Sequence, residues 1–270
     1  MLTLSNLCKT FHPGTVNEVR ALREVNLDLP DKAFLVILGG NGSGKSTLLN
    51  ALAGSFRLDA GRIRVAGQDV TRWPEHRRAG LIGRVFQNPF TGTAPSMSIA
   101  ENFALAARRG QWRGLGWALA GRRLGEFRDQ VSQLGMGLED RLGDSIGSLS
   151  GGQRQALTLL MATWLKPALL LLDEHTAALD PKSADQVIRV TEQVIARHQL
   201  TTLMVTHSMQ QAVNLGDRIV MMHKGAVAYR FEGAEKRRLR VPDLLGRFEE
   251  LRRRETLDET AAALLQETYI

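Results

Sequence analysis

Nine residues, Gly39 to Thr47, read GGNGSGKST and carry the most specific chemistry in the chain. Glycines let successive backbone N–H groups turn into one concavity, and a helix starting behind them adds its positive end. Lys45 is placed to reach the β- and γ-phosphates of a nucleotide, and the Ser46 hydroxyl to ligate Mg²⁺. The flanks fit that use. An apolar run, 34–38, leads in, and a helix-like run, 48–53, leads out, with Gly54 placed to end it. Strand, glycine-rich turn and helix together separate a phosphate-binding loop from a chance glycine turn. The chain is therefore expected to bind a nucleoside triphosphate.

A second apolar run, 168–172, ends in Asp173 and Glu174. A strand buried on both faces reads as continuous apolar sequence, and its C-terminal end is where α/β sheets place ligands. Asp173 is expected to hold Mg²⁺ through water, and Glu174 to orient or deprotonate an attacking water. Without the glycine loop the same acids would read as an ordinary strand end. Leu149, Ser150, Gly151, Gly152 and Gln153 open a further helix. Backbone N–H groups, a serine hydroxyl and a helix N-terminus again make an anion site. One nucleotide does not need two such sites from one chain.

The elements that must position these groups can be followed in order. Residues 2–7 and 19–29 alternate apolar and polar, as half-buried strands do. Short strands are expected at 61–66 and 81–86, a loop at 87–95 and a helix at 99–109. From 150 onward the pattern predicts helix 151–165, strand 168–172, helix 181–198, strand 201–205, helix 208–215 and a hairpin of strands 218–223 and 226–231 around Lys224-Gly225. Alternating strand and helix implies an α/β fold with a mostly parallel sheet. The tail, 236–270, holds mixed charge and two helix-like pieces. Its cluster Lys236, Arg237, Arg238 and Arg240 reads as a solvated face, with lipid phosphate as the sharper alternative.

The 270 residues suit one large α/β domain or a domain with an inserted subdomain. No apolar run is long enough to span a bilayer, and no signal peptide is visible, so a membrane-spanning partner would be a separate polypeptide. Cys8 is the only cysteine, which excludes an intrachain disulfide and points to a reducing compartment. The net charge is +7 and the isoelectric point about 10.1. That balance suits nucleic acid, an anionic membrane surface or an acidic nucleotide equally. Between Phe103 and Gly125 lie Arg108, Arg109, Arg113, Arg122 and Arg123, with Trp112 and Trp117 and no acid. Arginines with stacking aromatics are one signature of single-stranded nucleic acid binding. No nucleic-acid motif accompanies them, which favours a basic surface facing a membrane or a partner protein.

The combined motifs resemble the ABC ATPases, whose signature sequence is LSGGQ. The resemblance covers about residues 1–235 and runs in the family's order: the loop 39–47, Gln87 after a strand, 149–153, Asp173-Glu174, Ala178-Leu179-Asp180, and His207. It implies a P-loop NTPase fold, with a core at 1–86 and 150–235 carrying antiparallel strands at its N-terminus. It also implies an inserted helical subdomain at 87–149 and a short C-terminal tail at 236–270. By the resemblance, Gly39, Gly40, Asn41, Gly42, Ser43, Gly44, Lys45, Ser46 and Thr47 would cradle ATP. Ser46, Gln87 and Asp173 would hold Mg²⁺. Glu174 would be the general base, His207 would contact the γ-phosphate, and Gln87 would approach the attacking water. Leu149 to Gln153 would close on the nucleotide of a second copy, and Asp180 would link the two sites. Phe11 falls where the family often sets an aromatic against adenine, although taken alone such a phenylalanine is more often a core residue.

The resemblance further implies a peripheral ATPase subunit at the cytoplasmic face of a membrane. Its partners would be a second copy, an integral membrane permease and a substrate-binding protein, with no nucleic acid expected. The stretches NALAGSF and PEHRRAGLIGRVFQNPFTGTAPSMSIAEN resemble an importer branch associated with a binding protein for tryptophan or related aromatic compounds. The competing readings are a nontransport ABC ATPase acting on nucleic acid or ribosomes, and a P-loop kinase or GTPase with no use for LSGGQ. Three stretches depart from the family pattern: His175 replaces the usual proline, Lys32-Ala33 replaces Gly-Glu, and Arg154-Gln155-Ala156-Leu157 follows LSGGQ where many members continue with another arginine.

Overall fold

The computed structural model describes residues 1–110 and 121–253. Trp112, Arg113, Trp117, the side chain of Arg122 and the tail beyond 253 lie outside the described residues. The chain opens with β1 (Leu2–Phe11) and β2 (Val19–Leu29), an antiparallel pair. Leu2 and Leu4 point into the core, and then Asn6 at φ 50° interrupts the ladder so that Leu7 is buried too. The alternation seen in the sequence survives this bulge, and the strand runs four residues past its expected end. With β4 (Ala60–Val65) and β5 (Gln68–Asp69) these strands form a four-stranded sheet in the order β2-β1-β4-β5. Cys8 lies half-buried in β1.

The second sheet carries the loop. Its β3 (Phe34–Gly39) is buried on both faces, with Leu35 and Ile37 in one core and Val36 and Leu38 in the other. Around it stand β6 (Ile82–Val85), β7 (Leu169–Asp173), β8 (Thr202–Val205), β9 (Arg218–His223) and β10 (Ala226–Glu232), in the order β10-β9-β3-β8-β7-β6. All neighbours are parallel except the β9–β10 hairpin. The turn into β3 puts Lys32 at φ 64°, a left-handed conformation that costs glycine less. That accounts for glycine being usual there.

Helix α1 (Lys45–Ala53) starts at Gly44 (φ 99°) and ends at Gly54 (φ 87°). Arg78, at the end of the short α2 (Glu75–Arg78), is buried and spends its guanidinium on four backbone carbonyls. Two of them, Ala51 and Leu52 at 2.6 and 2.9 Å, are free acceptors at the α1 C-terminus. A cation there also suits the helix dipole, so Arg78 clamps the far end of the helix that carries the loop.

Beyond β6, α3 (Ile99–Ala106) is capped by a reciprocal Ser98–Glu101 box. It packs with α4 (Gly121–Ser132) and α5 (Gly151–Thr163) through Phe103, Phe127 and Trp164, whose ring centroids lie 5.1–5.9 Å apart. Their apolar side chains join the sheet in one continuous core, so the segment after Gln87 is not packed by itself. Arg109 donates to the Ala162 carbonyl at 2.9 Å, and is thus turned into the fold rather than presented on a basic surface.

Helix α6 (Pro181–His198) keeps its expected limits, and α7 (Met209–Asn214) follows β8. Helix α8 (Gly233–Arg238) leaves Arg237, Arg238 and Arg240 exposed, as a solvated face requires, and corrects the tail cluster at one member. Lys236 is buried and gives its Nζ to the Val213 carbonyl at 2.8 Å, so it caps α7 instead of facing solvent or lipid. Residues 241–253 are helical.

Candidate functional site

Four consecutive parallel strands, β3, β8, β7 and β6, end on the same side of the sheet. The loop 39–47 follows β3, His207 follows β8, Asp173 and Glu174 end β7, and Gln87 follows β6. Topology alone therefore gathers residues spread over about 170 positions. Within the loop, Gly44 is forced by two constraints. Its φ is positive, and a Cβ would lie 2.5 Å from the Ala21 carbonyl oxygen. Lys45 is buried and donates to the Gly39 and Gly40 carbonyls at 2.9 and 2.8 Å. Burial lowers the pKa of its ammonium, and the nearby Glu174 and Asp173 carboxylates pull it back up. Ser43 is buried, whereas Gly40, Asn41, Gly42 and Ser46 are open to solvent.

Glu174 sits at φ 42°, an uncommon conformation for a residue with a side chain. The Val205 carbonyl holds its N–H at 3.0 Å, and its Oε2 lies 3.2 Å from His207 Nδ1. The loops bearing these two residues are tied by a triangle that the sequence did not announce. Thr206 donates to Gln211 Oε1 at 2.8 Å, and Gln211 Nε2 donates to Thr176 at 3.0 Å. Asp173 makes an ion pair with Arg84, Nη2 to Oδ2 at 3.1 Å. That arginine was also missed, although a lone cation in the otherwise apolar run 81–86 was a visible signal.

His175 explains how this chain does without the usual proline. It is buried, and its Nε2 lies 3.1 Å from the Thr191 hydroxyl. That hydroxyl donates to the Val187 carbonyl, so it must accept from the ring, which places the imidazole proton on Nε2. Nδ1 is buried without a partner, and burial pushes the pKa down to about 4. As the pH falls below about 6.5, the unfolded chain takes up a proton that the folded chain refuses, so stability is lost. Urea unfolding should show the parent losing about 2 kcal/mol more than His175→Leu between about pH 7.5 and pH 5. Parallel pH profiles for the two proteins would contradict a neutral buried imidazole.

Among the described residues, the turn at Ser150, Asp180 and Phe11 share no hydrogen bond with this cluster. Ser150 caps α5, accepting from Gln153 N–H at 3.3 Å, while Gln153 Oε1 accepts from Ser150 N–H at 3.2 Å. These bonds stay within the first helical turn. Gly152 lets α5 approach α6, since a Cβ would lie 2.8 Å from Ser183 Cβ. The two residues after the motif hold the loop behind Gln87. Buried Arg154 donates to Thr93 at 2.6 and 2.9 Å, and Gln155 Nε2 donates to the Phe86 carbonyl at 2.9 Å. Gln87 itself is exposed. Asp180 caps α6 through Ser183 N–H at 3.0 Å, and hydrogen bonding from the Ser183 hydroxyl, and then from that N–H, lowers its pKa. Phe11 is half-buried, edge-on to Phe56 at 5.4 Å, with Lys9 Nζ 5.5 Å from its ring centre.

The ABC transporter profile matches residues 22–177 of this chain. It belongs to the ABC transporter family. The cassette is an ATP-binding, ATP-hydrolysing subunit coupled to transport. It is 39% identical to a tyrosine transport ATP-binding protein of Clostridioides difficile (strain R20291), over 92% of this chain and 99% of the relative. It is 34% identical to the lipoprotein-releasing system ATP-binding protein LolD of Ruegeria pomeroyi, over 84% of this chain and 96% of the relative. Among solved structures, the dimeric cassette MJ0796 in a post-hydrolysis state bound to ADP and Pi superposes with a TM-score of 0.73. That match is 26% identical and covers 86% of this chain and 98% of the other. These likenesses show the P-loop NTPase fold of the ABC cassettes and do not favour a nucleic-acid role for the arginine-rich stretch. No helix among the described residues is long and apolar enough to cross a membrane.

Proposed function

We propose that this ABC ATPase closes head-to-tail with a second copy around two ATP molecules and drives a permease that imports a small aromatic solute. One observation carries the dimer: the strand ends gather Lys45, Asp173, Glu174 and His207, while the hydrogen bonds of Ser150 remain inside its own helix turn. On this reading each chain would hold half a site. Lys45 would release its loop carbonyls to take the phosphates, cradled by the N–H groups of residues 39–47. Ser46, Asp173 and Gln87 offer hard oxygen donors, which fits Mg²⁺ completed by phosphate and water; bound there, the ion would neutralise phosphate charge. Glu174 would accept the proton of the attacking water, held in line by His207. Ser150 to Gln153 of the second copy would meet the γ-phosphate, and Asp180 would pass closure from one site to the other. Phe11 would lie against adenine. Residues 87–149 would receive the permease at the cytoplasmic face of the membrane.

The aromatic solute and an accompanying binding protein rest on the importer-branch resemblance and on the tyrosine transport label of the relative from Clostridioides difficile. Affinity purification of the tagged chain from membranes of its own cells tests this reading. A multispanning permease should copurify, and the cell's uptake of labelled tyrosine or tryptophan should fall when Lys45→Ala replaces the parent. Recovery without any membrane protein, with uptake unchanged, would contradict it.

A further inference from the structure

Asp173 already has a cation. Arg84 is the third residue of β6, and its register partner on β7 is Leu171. Asp173 follows two residues later, so both side chains lie on the same face of the sheet. Nη2 and Oδ2 are 3.1 Å apart, and the two side chains are only 14% and 15% exposed. In such surroundings water screens the pair weakly. The guanidinium also lies 4.6 Å from the ring centre of Phe86, which limits its freedom to swing away. Its Nε is buried without a hydrogen-bond partner, so the arginine is held there for Asp173 and not as part of a saturated network. Lys45 adds a second positive charge close to the same carboxylates.

We propose that Arg84 is an internal counter-ion of Asp173 that keeps the site closed to free divalent cations and makes cation entry depend on nucleotide. The inference rests on Asp173 being the cation-holding carboxylate, as proposed above. One carboxylate oxygen is taken by the guanidinium, and a free divalent ion would have to approach two fixed positive charges with little net negative charge to attract it. A nucleotide changes that balance, because its phosphates occupy Lys45 and bring several negative charges of their own. Arg84 acts through Asp173 and is a positioning residue rather than a catalytic one.

The test uses Mn²⁺ alone, without nucleotide, with the free ion counted by its paramagnetic resonance signal. Arg84→Met should lower the Mn²⁺ dissociation constant by at least about fivefold relative to the parent. Arg84→Gln keeps a polar donor toward Asp173 and should show the same direction, which covers a failure of the methionine variant to fold. In an Asp173→Asn background the substitutions at position 84 should make no difference. Dissociation constants within about twofold of the parent for a folded variant, or an equal effect in the Asp173→Asn background, would overturn the proposal. Binding of a fluorescent ATP analogue with Mg²⁺ to the parent is measured alongside. Its absence would strike the nucleotide-site reading itself, whereas its presence with unchanged Mn²⁺ affinity would strike only the role of Arg84.

Discussion

Glu174→Gln should keep ATP binding and lose about 10²- to 10⁴-fold in hydrolysis rate, the range of a lost general base. The substitution is close to isosteric. The left-handed backbone at φ 42° and the N–H bond to Val205 do not depend on the carboxylate charge, and an amide oxygen can still meet His207 Nδ1. What disappears is the capacity to take a proton from water. Lys45 and the loop are untouched, so nucleotide affinity should hold. Phosphate release at saturating ATP and equilibrium nucleotide binding measure the two parts separately. Turnover at the parental rate would remove Glu174 from the chemistry. Loss of binding together with turnover would mean that the carboxylate shapes the pocket instead.

Mixing two inactive variants should restore activity. Lys45→Ala damages a chain's own phosphate grip but leaves its Ser150 turn intact. Ser150→Arg places a bulky charge where the second copy's nucleotide would sit, yet leaves its own loop intact. Either variant alone has both sites of its dimer damaged. A mixed dimer has one whole site, made of the Ser150→Arg chain's loop and the Lys45→Ala chain's turn. If chains pair at random and sites turn over independently, an equimolar mixture should reach about a quarter of the parental rate. A mixture no faster than its two components would contradict the shared site, provided both variants fold. The α5 cap makes folding of Ser150→Arg the point to check, since loss of a serine cap costs about 1 kcal/mol.

Much of this was legible because the signals are local. The loop 39–47, its apolar strand and its closing Gly54 lie within one stretch, and the α6 limits follow from Asp180-Pro181 at one end and a change of periodicity at the other. The order of strands made the gathering of Lys45, Asp173, Glu174 and His207 predictable in outline. What stayed hidden depends on contacts between distant positions. Nothing near Arg78 says that it will clamp α1, because its acceptors are carbonyls 26 and 27 residues away. Lys236 read as a surface charge until a helix end 23 residues earlier supplied its acceptor. Helix α4 was masked by glycines in a basic window, where low propensity outweighed the apolar face that Phe127 and Val131 turn to the core. The Thr206–Gln211–Thr176 triangle joins three polar residues of ordinary appearance, and only the folded loops show that they share one network.

The central claim is that one chain carries half a nucleotide site. Sedimentation equilibrium of Glu174→Gln with and without ATP tests it most directly, because slow hydrolysis lets the closed state accumulate. A single mass near 29.8 kDa without nucleotide and twice that with ATP is the predicted result. A mass that stays at one chain while ATP is demonstrably bound would contradict it.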